Sequence, residues 1–398
     1  MAYWGVARTW YHPIWAPPSP EELKQGAAAM DRALAIDPKT GRERDYIQAL
    51  SVFYKDWQTV DHATRAKNYE RALAGVCERN PNDDEAAIFH ALQLVAIGYL
   101  DPTDKSYTWQ KKGSEILNGL LPRHQNHPGV AHYIIHSVDY PPLAELGLKA
   151  ARAYAAIAPD SPHALHMPSH IFTRLGLWDD SITSNTASTK SAIAQSQRLH
   201  GGGGSFDQLH AIDYLVYAYL AAGEGRERSK VLAEMQAIDQ AGRKPVRRRL
   251  RLCGLAGTLG FREARLESGC GARDHARAWF PWDRFRNVEA LVHYARAIGA
   301  ARAGDVPAAR RSADEIAAIR KAMPATRDYD WSGSIGAQWE AATALIAWAE
   351  GKKSEGIRLL RVAADHEDAV DKHPVTPGAL LPDPRDAGRS SAREWSGG

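Results

Sequence analysis

Apolar residues recur along this chain at the three-to-four-residue spacing of a helix face, and runs that alternate apolar with polar are nearly absent. Clear stretches are Glu85–Gly98, His163–Leu175, His210–Ala222, Glu289–Ala303 and Gly336–Glu350. Each ends at or near a glycine. Ala222-Gly223-Glu224, Ala303-Gly304-Asp305 and Glu350-Gly351-Lys352 read as helix C-caps, since glycine takes the left-handed conformation that closes a helix. A second helical segment usually follows each cap. The pattern therefore predicts an all-α chain built of helical pairs.

The strongest internal match sets Asn-His-Pro-Gly-Val-Ala-His132-Tyr-Ile-Ile-His136 against Asp-Ser-Pro-His163-Ala-Leu-His166-Met-Pro-Ser-His170, at an offset of 34 residues. Pro128 and Pro162 share that offset. Leu175-Gly176-Leu177-Trp178, Leu-Ala-Ala-Gly223 and Ala-Arg-Ala-Gly304 have the look of inter-helix turns, and Ala-Ile-Ala-Pro159 of a repeat-closing proline. A helical period of 34 is that of the tetratricopeptide repeat. The chain resembles that family, and bacterial members with histidine-rich repeats in particular, most clearly from His127 to Met235 and from Glu289 to Asp365. Two features depart from the pattern. Asn185 stands where a large apolar residue is usual, and the loop around Gly201–Gly204 lengthens one connection.

The resemblance implies a right-handed α-solenoid of about seven to nine repeats, with the first helix of each lining a concave groove. The family's groove-facing positions then carry His132, His136 and Asp139 in one repeat. The next carries His163, His166, His170 and Arg174, and a third carries His210, Asp213 and Tyr217. Residues four apart on a helix share a face, and packed helices lie about 8–10 Å apart. His132/His136 and His166/His170 can thus converge, assisted by His163, His210 and Asp213. Neutral imidazole suits Zn, Fe or Cu, and this many donors suits one or two ions. Such an ion can act as a Lewis acid, a water activator or a redox centre. Two other readings stand beside this one. The histidines can line a polar groove that binds a peptide, protein or small molecule, or they can form the closed, non-catalytic sites of a metal store or chaperone.

Around these residues, Arg174 and Asp139 are placed to clamp a charged substrate, or simply to face solvent. Tyr217 is placed to hydrogen-bond a ligand, while Tyr133 and Tyr214 read as inter-helix packing. His12 reads as a loop residue and His90 and His293 as core residues. His124 and His127 fall in an inter-repeat loop, and Glu85 reads as a helix N-terminal carboxylate.

Composition narrows the picture. Lys+Arg 50 against Asp+Glu 47 gives a net charge of +3. Yet the window 242–277 alone holds ten basic and three acidic residues, which leaves the rest at −4. An acidic partner is thus not indicated. Arg247, Arg248, Arg249 and Arg251 lack a recognition fold or interleaved aromatics, so nucleic acid is not expected. Three cysteines support neither a disulfide framework nor a cysteine-based zinc site. No run of 18 apolar residues is present, so no membrane span is expected. P-loop, dinucleotide-binding and Gly-x-Ser-x-Gly motifs are absent.

The expected organisation is an N-terminal array over 1–241, with an incomplete first repeat and the histidine-rich groove at 127–220. An atypical Arg/Gly/Cys-rich segment follows at 242–277, then further repeats at 278–366 and an irregular tail at 367–398. The abrupt composition changes at 242–277 and 382–398 suggest a shifted reading frame in both places. As it stands the chain reads as cytoplasmic, with an upstream export signal left open.

Overall fold

The computed structural model describes residues 1–14, 17–36, 38–224, 285–323, 329–370, 372, 373 and 375–378, with isolated positions at 226, 227, 230, 231, 234 and 282. The segments 242–277 and 382–398, with Arg247–Arg251, Cys253 and Cys270, lie outside the described residues. The chain divides into two compact units, Met1–Pro159 and the part from Asp160 onward. Among the described residues every regular element is helical. None of these helices is long and apolar enough to cross a membrane.

The first unit contains α1 (Ala2–Thr9), α2 (Pro20–Leu34), α3 (Gly41–Tyr54), α4 (His62–Arg79), α5 (Asp84–Gly98), α6 (Thr108–Leu120), α7 (Pro128–Val138) and α8 (Leu148–Ile157). Local signals start these helices. Ser19 and Glu22 form a reciprocal capping box at α2, and Thr40 and Asp61 accept the third backbone N–H of α3 and α4. Each helix packs on its neighbour in sequence. Leu23, Met30, Tyr46, Leu50, Phe53, Tyr69, Leu73 and Val76 form a shared core, whose burial drives the packing. Helices α5 and α6 approach so closely that a Cβ on Gly113 would stand 2.9 Å from the Ala91 carbonyl oxygen. Cys77 is half-buried, and burial pushes its thiol up to about 11, so it is not a ready thiolate.

The second unit contains α9 (Pro162–His166), α10 (Pro168–Arg174), α11 (Trp178–His200), α12 (Phe206–Ala221), α13 (Arg286–Arg302), α14 (Val306–Ala322), α15 (Trp331–Ala349) and α16 (Lys353–Ala369). The inter-helix turns follow one design. Gly176, Gly223, Gly304 and Gly351 have φ of 68°, 76°, 78° and 84°. In each case the next residue's N–H returns to a carbonyl five residues back: Leu177 to Phe172, Glu224 to Tyr219, Asp305 to Ala300 and Lys352 to Ala347. Alanines such as Ala297, Ala301, Ala309, Ala313 and Ala342 let α13–α15 approach closely, with Tyr294, Ile298, Ile316, Leu345 and Ile346 filling the core between them.

One expected element is different. The periodicity predicts a single helix over His163–Leu175, but the chain forms two pieces, α9 and α10, that meet at Met167. Pro168 is the reason, because it has no N–H to offer the carbonyl four residues before it.

Candidate metal centre

The break in the helix positions the site. Ser161 caps α9 and Pro162 opens it. Beyond the break, the His170 N–H reaches the Met167 carbonyl at 3.1 Å, a tighter three-residue turn. Both pieces lie along α11, whose buried face is polar: Ser181, Asn185, Ser188 and Thr189. The Ser184 Oγ donates to the Leu165 carbonyl at 2.5 Å, Ser188 to Pro162 at 2.7 Å, and Ser191 to Asp160 at 2.8 Å. Carbonyls exposed around the broken helix are thereby satisfied, and α9 is pinned to a long, regular support.

On this support His166 and His170 face one another with Nε2 atoms 3.0 Å apart. His210, on α12, brings its ring to 4.2 Å from that of His166, centroid to centroid. The three residues offer ligand atoms that all lie within 4.8 Å of one another. Two nitrogens each about 2.0–2.1 Å from one zinc ion, at roughly 90–110° to each other, stand about 2.9–3.4 Å apart. The His166–His170 spacing falls in that range. Phe206 stacks on His210 one turn earlier in α12 and Tyr214 closes the other side, so all three histidines are buried.

The protonation states suit a cation. Burial first, and then the positive charge of neighbouring histidines, holds His166 and His210 well below the usual imidazole range. Both are therefore neutral ligands at neutral pH. Asn185 fixes which nitrogen of His166 is available. Its Nδ2 donates to the Ser181 carbonyl at 2.8 Å, which turns Oδ1 toward the ring. The His166 Nδ1–H donates to that Oδ1 at 2.6 Å, leaving the Nε2 lone pair directed at His170. The Nδ1 of His210 is buried with no hydrogen-bond partner. An imidazole nitrogen buried without a partner beside two converging ones is an arrangement that could hold a metal ion.

The other expected site residues lie on α7, α9, α10 and α12, or at their ends. His163 is half-buried on α9, and burial followed by the charge of His170 pushes it down to about 4. Asp213, expected as a carboxylate ligand, does not join the three mutually close donors. It is buried one turn after His210, and that burial pushes it up to about 7. Arg174 ends α10, and its charge acts on the half-buried Tyr217. In the first unit, His132 and His136 are brought together with Nε2 atoms 3.0 Å apart. His132 stacks between Tyr133 and Tyr154, at 5.5 Å from each. Asp139 is the buried C-cap of α7, and Tyr99 donates to the His136 carbonyl.

Two expectations are corrected by this arrangement. The resemblance puts the histidines on an open groove face, yet His136, His166, His170 and His210 are only 2–3% exposed. In the second unit the cover is supplied by Asn185, Phe206 and Tyr214. His210, expected in an assisting role, lies in the same group of close donor atoms as His166 and His170, and Asp213 is not in that group.

Sequence reasoning misses Asn185 and Tyr214 as parts of the site. Asn185 is legible as a misfit, since a polar residue at an apolar repeat position needs a buried partner. Tyr214 is fully buried, as its packing role predicts, but its hydroxyl also lies 3.2 Å from the His170 Nδ1. Among the less weighted residues, His12 meets Glu22, His90 meets Glu70, and Glu85 meets His127. Comparisons of the chain with protein-family models and with curated proteins returned no match.

Proposed function

We propose that this protein binds a transition-metal ion through His166, His170 and His210. One observation carries the reading: a buried His166–His170 pair with Nε2 atoms 3.0 Å apart, beside a His210 whose Nδ1 has no partner. A packed core has little use for three converging imidazoles, one of which leaves a nitrogen without a partner. Three nitrogen donors suit Zn, Fe or Cu. They also leave a coordination position open, as catalytic sites do and closed structural sites do not. The reading therefore favours an ion that meets water or a substrate, acting as Lewis acid or water activator.

His132 and His136 are proposed as a second donor pair. The scaffold is proposed to be a right-handed tetratricopeptide-like array; the 34-residue offset and the recurring glycine-closed turns support it. Metal analysis after mild purification tests the function. We expect about one equivalent of transition metal that depends on His166 and His210. Less than about half an equivalent of any such metal sinks the proposal, because a tight site retains its ion.

A further inference from the structure

After α16, Thr376 and Gly378 reach Tyr214 and Tyr217, the tyrosines of α12 that follow His210. The His373 ring stacks on Trp331, with centroids 5.0 Å apart, and meets the edge of Tyr329 at 5.4 Å. Val375 is buried. Gly378 sits so close to Tyr217 that a Cβ there would lie 2.7 Å from the phenol oxygen. Lys372 and His373 both act electrostatically on His210. Most directly, the Tyr214 hydroxyl lies 3.2 Å from the His170 Nδ1 and 3.2 Å from the Thr376 carbonyl oxygen.

The His166 Nδ1–H is committed to Asn185, so the His166 Nε2 faces His170 as an acceptor. The Tyr214 hydroxyl holds the other side of the His170 ring and is itself held by the Thr376 carbonyl. Two consecutive hydrogen bonds thus join the stretch after α16 to a ring of the candidate site, so the position of that stretch bears on the orientation of His170.

We infer that the stretch containing His373, Val375, Thr376 and Gly378 is a strap belonging to the metal centre, with Tyr214 as the positioning residue that links ion binding to strap docking. This rests on the metal reading above. Linkage is reciprocal: if the docked strap, through Tyr214, holds the His170 ring in the orientation that binds an ion, the ion in turn favours the docked strap. Outer partners of ligating histidines typically alter metal affinity by about 10–100-fold.

The test uses Zn(II), with affinity read by competition against a chromophoric chelator and strap docking by amide exchange at Val375 and Thr376. Three proteins are compared: the full chain, Tyr214→Phe, and a chain ending at Val370. Tyr214→Phe keeps the ring and its packing while removing the hydroxyl. In the full chain Zn(II) should slow exchange of the strap amides by about 3–10-fold, the size of a modest linkage between ion binding and docking. In Tyr214→Phe that protection should vanish and affinity should fall by about 10-fold or more. The shortened chain should show the same loss of affinity. If Zn(II) binds the full chain but leaves strap exchange unchanged, or if both variants bind it as tightly, the strap inference is overturned and the metal reading stands. If the full chain does not bind Zn(II), both fall together.

Discussion

The Oδ1 of Asn185 accepts the Nδ1–H of His166 at 2.6 Å, and the Asn185 amide is itself oriented by the Ser181 carbonyl at 2.8 Å. A side chain on a supporting helix thus decides which nitrogen of a ligand histidine faces its partners. Asn185→Leu restores the apolar residue expected at this repeat position and removes the lock. Helicity should persist, while transition-metal affinity should fall by about 10–100-fold. Chelator competition and circular dichroism measure the two separately. Unchanged affinity would mean that Asn185 only fills space.

The ligand role of the histidines themselves separates from any structural role by a paired measurement. His166→Ala and His210→Ala should each abolish retained metal and leave the helical signal intact. In the parent protein, free ion at about a thousandfold over its dissociation constant should add about 4 kcal/mol to the unfolding free energy, and in the variants nothing. Urea titrations with and without Zn(II) check this. Loss of helicity in both variants would instead assign these residues to the core.

Pro168 offers a test of how the broken helix shapes the site. In Pro168→Ala the residue regains an N–H, and α9 and α10 can join as one regular helix. Stability should change by no more than about 1–2 kcal/mol in either direction. Metal affinity should drop, because a regular turn moves His170 away from the tighter spacing set by its bond to the Met167 carbonyl. A variant that binds metal as tightly as the parent would show that the break is incidental.

Much of this architecture is legible in the sequence. Helix class follows from periodicity, and the turns at Gly223, Gly304 and Gly351 follow from the one residue that tolerates a left-handed closure. The histidine pairs are legible as well, because four-residue spacing on a helix fixes a shared face. Burial is not, since it depends on what α11 and α12 lay over the histidines. Neither is the exchange of roles between His210 and Asp213. They stand three residues apart on α12, about 60° apart around it, and only the packing of α12 on α9 decides which one comes up to His166. Thr376 is beyond reach for a different reason: it contributes a backbone carbonyl, which every residue has, so no side-chain pattern marks it.

The pH dependence of the metal-free protein follows from two opposed groups of buried and half-buried side chains. His163, His166 and His210 have folded-state values below the ordinary imidazole value of about 6.5. As pH falls below about 6.5 the unfolded chain takes up protons that the folded chain refuses, so these residues make stability decline. Asp213 and Glu367 behave in the other direction. Burial raises both to about 7, so between roughly pH 4 and 7 the folded chain holds protons that the unfolded chain releases. Their contribution is full below about pH 4 and is lost as pH rises through 7. Across pH 6.5 to 4.5 three histidines thus work against two carboxyl groups, and the net slope should correspond to about one proton. Asp213→Asn removes one opposing group. It should steepen the acid-side slope to about two protons and raise stability at about pH 7.5 by 1–3 kcal/mol, because no buried carboxylate need then ionise. Urea unfolding of chelator-treated protein at a series of pH values measures both effects. Parallel curves for the parent and the variant would show that Asp213 does not carry its proton into the neutral range.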